Sequence, residues 1–165
     1  MAPIEYIPII QAFYQQHYQI NYPVFIPEGR PWTPARKPLR ESRVAVICSA
    51  GISLRDQPTF AFRGHDDFSL REIPTDTPPA QLLIQYGYFD QADAEVDINC
   101  LFPLQRLQDL VEEGFIGGLC PVAYGMGIGR WLDPESPLRL QGEVAEDLAR
   151  RCKAQGADAA LLIPG

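Results

Sequence analysis

Apolar and polar positions fall in blocks along this chain, and the period changes from one block to the next. Residues 8–18 place Ile9, Ile10, Phe13, Tyr14 and His17 at helical spacing behind Pro8, which suits a first helical turn, so a short docking helix is expected. Residues 23–38 carry Pro23, Pro27, Pro31, Pro34 and Pro38, too many for a helix interior or a central strand. That segment reads as an extended wrap anchored by Trp32. Arg43 to Ser49 is the first strand, β-branched and apolar enough to be buried on both faces, and Ala50-Gly51 ends it. Residues 52–69, broken by Pro58 and Gly64, read as a long irregular excursion before the short run Leu70-Arg71-Glu72-Ile73.

Beyond the turn-rich residues 74–79, Leu82-Leu83-Ile84 reads as a strand, and the acidic stretch holding Asp90, Asp93, Glu95 and Asp97 as solvated loop. Pro103 opens an amphipathic helix in which Leu104, Leu107, Leu110 and Val111 share one face, and Gly114 stops it. The apolar run Gly118 to Ala123 reads as a short strand, although Pro121 argues against a central ladder position. A last helix, Glu143 to Gln155, sets Val144, Leu148 and Cys152 at i, i+4, i+8. It carries acids early and Arg150, Arg151 and Lys153 late, and stops at Gly156. Ala159 to Ile163 then reads as a buried parallel strand, with Pro164 and Gly165 beginning the loop beyond it.

Strand, helix, strand, helix, strand in this order predicts an α/β fold: a mainly parallel sheet with flanking helices, Rossmann-like and layered. One domain is expected over 1–165, with 1–40 as helix and Pro-rich wrap and 41–165 as the α/β core. At 165 residues and 46% hydrophobic content the chain can bury one core. A net charge of −7 with no Lys/Arg cluster disfavours phosphate backbones and anionic lipid, so neither nucleic acid nor a membrane is an expected partner. No run approaches the roughly 20 apolar residues of a membrane span, and Met1-Ala2-Pro3-Ile4-Glu5 lacks the basic start of a signal peptide. A cytoplasmic location is therefore expected. Cys48, Cys100, Cys120 and Cys152 form no CxxC pair and read as reduced, mostly buried thiols. With only His17 and His65 beside them, no metal-site spacing exists and no metal is expected.

In open α/β sheets ligands gather beyond the carboxyl ends of strands, which directs attention to the loops after each strand. Cys48-Ser49-Ala50-Gly51 lies at such an end, where a nucleophile could sit. It lacks the GxSxG elbow, and a backbone loop near a ligand is the favoured reading. Gly125-Met126-Gly127-Ile128-Gly129 is spaced GxGxG rather than GxGxxG, and the demands of a tight turn explain it better than a phosphate loop. Gly64-His65-Asp66-Asp67 offers an imidazole and two carboxylates, but adjacent side chains diverge, so loop-fixing hydrogen bonds are preferred to a shared ion. Arg71 can pair with Asp67 or Asp76, either rigidifying the loop or holding a carboxylate ligand. Ser49, Gly51, Asp67, Arg71 and Asp76 are the substrate-binding candidates, with Pro164 and Gly165 as the site-adjacent loop.

The order and spacing of longer signatures add a resemblance. Pro31-Trp32-Thr33-Pro34, Pro38-Leu39, Arg43-Val44-Ala45, Ala50-Gly51-Ile52 and His65-Asp66-Asp67-Phe68-Ser69-Leu70-Arg71-Glu72-Ile73-Pro74 are followed by Asp97-Ile98-Asn99, Phe102-Pro103-Leu104 and Leu107. Glu113-Gly114-Phe115-Ile116-Gly117 and Gly156-Ala157-Asp158-Ala159 complete the series. Together they resemble the selenoprotein B family, the substrate-specific subunits of glycine, sarcosine, betaine and D-proline reductases, over nearly the whole chain. The resemblance implies an oxidoreductase subunit that cleaves a C–N bond of a small amino-acid-type substrate. It also implies a selenocysteine or cysteine nucleophile in the loop after the last strand, commonly with a second Cys to resolve the intermediate. No separate cofactor is implied. The implied partners are a small-molecule substrate and a thiol or selenol reductant or other reductase subunits, and an oligomer is compatible with them.

The resemblance puts the reactive position just after Gly165, so the 165 residues are expected to be the N-terminal part of a longer selenoprotein whose UGA codon was taken as stop, with a true truncation, a frameshift or a deliberate cut as the alternatives. As they stand they are expected to be inactive. One departure is that Gln85-Tyr86-Gly87-Tyr88-Phe89-Asp90 stands where many relatives carry a histidine before a Tyr-Asp pair. The competing reading is a non-catalytic ligand-binding or assembly subunit. Sequencing the DNA after the Gly165 codon separates the two: an in-frame UGA followed by coding sequence for a Cys-bearing loop is expected of the reductase, and UAA or UAG with nothing homologous beyond it of the binding subunit.

Overall fold

A computed structural model of the chain describes residues 5–22, 33–61, 67–85, 90–127 and 139–164. Strand β1 (Arg43–Cys48) is its centre, and successive side chains of a strand point to opposite faces. Val44, Val46 and Cys48 enter one core with Ile73, Phe102, Leu104, Leu107, Ile116 and Ala123. Ala45 and Ile47 enter another with Cys120, Tyr124, Met126, Leu148 and Cys152. Both faces are covered, so the strand is an unbroken apolar run. Each fully buried Val or Ile in it stabilises the fold by about 1.5–3 kcal/mol relative to exposure.

The remaining elements are β2 (Ile52–Leu54), β3 (Leu70–Pro74), β4 (Leu82–Ile84), β5 (Gly118–Leu119), β6 (Val122–Met126) and β7 (Ala159–Ile163). The helices are α1 (Tyr6–Tyr18), α2 (Ala92–Val96), α3 (Leu104–Glu112) and α4 (Ala145–Ala154), the last preceded by a π-helical turn over Leu140–Val144. β1 pairs in parallel with β7 along one edge, from Val44↔Ala159 to Cys48↔Ile163. Its other edge pairs in parallel with β5 near Arg43 and with β6 near Cys48. β3 adds an antiparallel outer strand on β6, so the five-stranded sheet is mostly parallel, as the sequence predicts. α3 buries Leu104 and Leu107 on one face of the sheet and α4 buries Leu148 and Cys152 on the other. Gly114 (φ 77°) and Gly156 (φ 75°) end these helices in the left-handed conformation a Cβ disfavours.

Five expectations need correction. Residues 52–69 are not wholly irregular, since β2 pairs antiparallel with β4 in a separate ribbon, Ile52 opposite Ile84. The acidic stretch is helical at α2, because the Asp90 carboxylate accepts the Ala92 amide (3.0 Å) and Ala94 is buried. The run 118–123 is two strands rather than one, and Pro121 falls at the break between β5 and β6, outside both ladders, as its missing N–H leads one to expect. There the Thr75 hydroxyl donates to the Cys120 carbonyl and the Thr75 amide to that of Pro121, both 3.0 Å. β7 pairs as expected but is not buried: Leu162 is 68% exposed, because β7 has one ladder partner among the described residues. α1 buries none of its side chains in this structure; its ring contacts are local, Phe13 on His17 (4.5 Å) within the helix and Tyr14 on Tyr22 (4.3 Å) just past its end. Trp32 and most of the Pro-rich wrap lie outside the described residues.

The glycines of the GxGxG run also have a different cause from the tight turn expected. A Cβ on Gly125 would stand 1.9 Å from the Ile52 carbonyl oxygen, and one on Gly127 2.2 Å from that of Asp67. Backbone crosses backbone here, and only hydrogen fits between. Ile128 and Gly129 lie outside the described residues. Gly125→Ala is expected to cost at least the 1–3 kcal/mol typical of overpacking, read from the denaturant midpoint. Gly118→Ala, with nothing within 4 Å of its Cβ, is expected to remain near wild type.

Candidate functional site at the carboxyl end of the sheet

Arg71, Gly125, Cys48 and Ile163 stand in one row across β3, β6, β1 and β7. This row marks the carboxyl end of the parallel strands, where α/β folds place their ligands. Just beyond it the turn Ser49–Gly51 acts as a clasp. The Ser49 amide donates to the Ile163 carbonyl (3.0 Å) and the Gly51 amide to that of Met126 (3.1 Å), while the Gly51 carbonyl accepts the Gln85 amide (3.0 Å). One turn therefore holds the ends of β7, β6 and β4. Gly51 (φ 66°) supplies the left-handed backbone it needs. The amides of Ser49 and Gly51 are thus committed to protein carbonyls rather than presented to a carboxylate ligand. Burial pushes the Cys48 thiol up to about 11, although the Ala50 amide points at it. Such a thiol carries almost no thiolate at neutral pH.

Asp67 and Arg71 meet as predicted, but through Ser69. Asp67 accepts the Ala61 amide (2.7 Å), the Ser69 amide (2.9 Å) and the Ser69 hydroxyl. Arg71 donates to the Ser69 hydroxyl (2.9 Å) and the Pro58 carbonyl (3.0 Å), and its guanidinium lies 4.2 Å from the Phe60 ring centroid. Both side chains fasten residues 58–61 to the start of β3, so the structure favours the rigidifying role over ligand capture. Partial burial works against the charge on Asp67. The Ser69 hydroxyl, the Ala61 and Ser69 amides and the Arg71 charge outweigh it and hold the carboxyl below the ordinary carboxylate range. Asp76 belongs elsewhere: it follows Pro74, which pairs with Val122 at the opposite end of the sheet. Pro164 follows directly on the clasped Ile163. His65, Asp66 and Gly165 lie outside the described residues.

A groove of about 580 Å³ runs along the outer side of β3, lined by Ser69, Arg71, Glu72, Glu143, Asp147 and Arg151 among others. Arg151 spans it by donating to Glu72 and, at 2.6 Å, to Asp147. Sequence reasoning missed Gln57 and Gln85. Gln57 donates to the Glu72 carbonyl (2.8 Å) and so covers part of the outer edge of β3. The Gln85 side chain accepts the Phe60 amide (2.9 Å) and donates to the buried Ser53 hydroxyl. Uncharged amides with no periodic signature gave no sign of these roles. No helix among the described residues is long and apolar enough to cross a membrane.

Neither a protein-family profile nor a solved structure matches the chain. The D-proline reductase subunit gamma of Acetoanaerobium sticklandii is similar to it, 34% identical over 145 residues, which make up 86% of this chain and 57% of that protein. The chain thus spans a little over half the length of this relative.

Because the Asp67 pKa is depressed by folding, its contribution is full above the unfolded value near 3.9 and is lost as pH falls through the lower folded value. Asp67→Asn is expected to lower stability at pH 7 by about 1 kcal/mol, since the contacts are partly exposed. In urea titrations the gap between variant and wild type should close as pH falls from 5 to below 3.

Proposed function

Because the chain belongs to the selenoprotein B-like family of reductase subunits, we propose that it serves in the reductive cleavage of a C–N bond in a small amino-acid-type substrate. The similarity to the D-proline reductase subunit gamma carries this reading, and D-proline is the first substrate to try. The nucleophile is a selenocysteine or cysteine in the segment that follows β7. In the net step the C–N bond breaks and C–H and N–H bonds form. The two electrons come from a selenol–thiol or dithiol pair that becomes an Se–S or S–S bond, and an external thiol reductant restores it. Further reductase subunits and a cytoplasmic setting belong to the same proposal.

The geometry supports this in two ways. The clasp from Ser49 to Ile163 fixes where the chain leaves β7, beside the ends of β1 and β6. A reacting group mounted there starts from a defined position, which is what orientation effects in catalysis require. The thiols of Cys48, Cys120 and Cys152 are buried with raised pKa, so these three are poor substitutes for it. One observation favours the assembly reading as a second function: the exposed outer side of β7, with Leu162 turned to solvent, suits contact with another protein segment.

The test uses the product of the complete reading frame, purified with any co-purifying subunits and supplied with dithiol and D-proline, glycine, sarcosine or betaine. Substrate-dependent thiol oxidation is expected, abolished by alkylation at a Sec or Cys that peptide mapping places beyond Ile163. Absence of turnover with all four substrates, or alkylation confined to Cys100 with activity lost, would overturn the reading.

A further inference from the structure

We infer that Gln85 is a positioning residue of the carboxyl-end site, an inference that rests on the reading of that end as the reactive one. Three of its hydrogen-bonding groups go to Gly51, Ser53 and Phe60. The backbone amide donates to the Gly51 carbonyl (3.0 Å), and so holds the turn whose other arm holds Ile163. The side-chain oxygen accepts the Phe60 amide (2.9 Å), and the side-chain nitrogen donates to the Ser53 hydroxyl. Ser53 is fully buried and Phe60 is 6% exposed, so both side-chain bonds of Gln85 are made away from bulk water.

The strap that Gln85 holds is the same one Arg71 and Asp67 hold from the other side. Phe60 lies between the Arg71 guanidinium and the space over Gly127, where a Cβ would meet its ring at 2.9 Å. Residues 58–61 are thereby pinned at both ends over the carboxyl end of β6. Arg71, Ser69 and Asp67 pin them to β3, and Gln85 pins them to the Ser49–Gly51 turn. The β3–β6 ladder already joins these two halves through the sheet, and the Gln85 side chain adds a direct tie between them above it. Without it, the strap keeps its bonds to β3 but loses its tie to the turn, and the reacting segment after β7 faces a strap held from one side. A neutral amide is suited to this link because it must accept from Phe60 and donate to Ser53 at once.

A merely structural role makes a different prediction. If Gln85 only satisfies the buried Ser53 hydroxyl, removing both partners should repair the damage, because two apolar groups in place of a hydrogen-bonded pair are close to neutral. The experiment compares Gln85→Leu with Gln85→Leu/Ser53→Ala in the full-length protein, by melting temperature, residue-resolved amide exchange, and kcat and KM in the assembled reductase. In Q85L the Phe60 amide is expected to exchange at least about tenfold faster. Its kcat is expected to fall by roughly tenfold to a hundredfold with KM within about twofold, the pattern of a misplaced reacting group. The double variant should recover melting temperature but neither Phe60 protection nor kcat. Gln85→Glu, which retains the acceptor for Phe60 and can accept from the Ser53 hydroxyl, should rescue part of both. Wild-type exchange at Phe60 in Q85L, or recovery of exchange and kcat in the double variant, would overturn the inference. Absence of wild-type turnover would instead refute the reductase reading, leaving the exchange measurements to decide whether Gln85 holds the strap.

Discussion

From Val44 to Cys48, every residue of β1 is paired with β7 on one edge, and the other edge is shared between β5 and β6. Its alternate side chains fill the two cores, so no face or edge of the strand is left to solvent along that stretch. This double commitment sets the directions of the neighbouring strands and places their carboxyl ends together. The amino end of the same strand is tied as firmly. The Asp158 carboxylate accepts the Arg43 amide (3.0 Å), and the Arg43 guanidinium donates to the Gln155 carbonyl (3.0 Å). The Lys37 ammonium joins Asp158 at 2.8 Å, and its hydrogen bond is the foremost cause of a carboxyl held below its ordinary range.

What this arrangement delivers at the other end is a mount. Ligand sites at the carboxyl ends of α/β sheets commonly present free backbone amides, yet those of Ser49 and Gly51 donate to neighbouring strands. The space between β1 and β6 is likewise taken up by protein, since the Ile52 carbonyl sits directly over Gly125. These backbone groups therefore hold strand ends together rather than face a ligand.

The described cysteines illustrate the same separation between packing and reactivity. Cys48 ends β1 and points its sulfur at the Leu101 carbonyl (3.8 Å), in surroundings that suppress the thiolate. Cys120 and Cys152 share the second core and behave as small apolar side chains. Cys100, by contrast, is exposed.

The α/β class, the parallel sense of β7 in a mainly parallel sheet and the extents of α3 and α4 were legible because each rests on local periodicity and on stop signals such as Gly114 and Gly156. The meeting of Asp67 with Arg71 was legible for a similar reason, as they are four residues apart at the start of one strand. Asp76 was grouped with them on charge alone, and the antiparallel course of β3 carries it to the far end of the sheet. The glycines at 125 and 127 were visible as a motif but not in their cause, because nothing local reveals that Ile52 and Asp67 cross over them. Gln85, Ser53 and Phe60 are separated by up to 32 positions, and neutral hydrogen bonds between them leave no period or charge pattern to read. The amino-acid sequence by itself thus determined the longer helices and strands and which faces seek a core, though not β2 or α2, since the former follow from periodicity among side chains within a few residues of one another. The tertiary structure alone decided which loops close over the carboxyl end and which polar groups they consume, because that depends on backbone meeting backbone from distant parts of the chain.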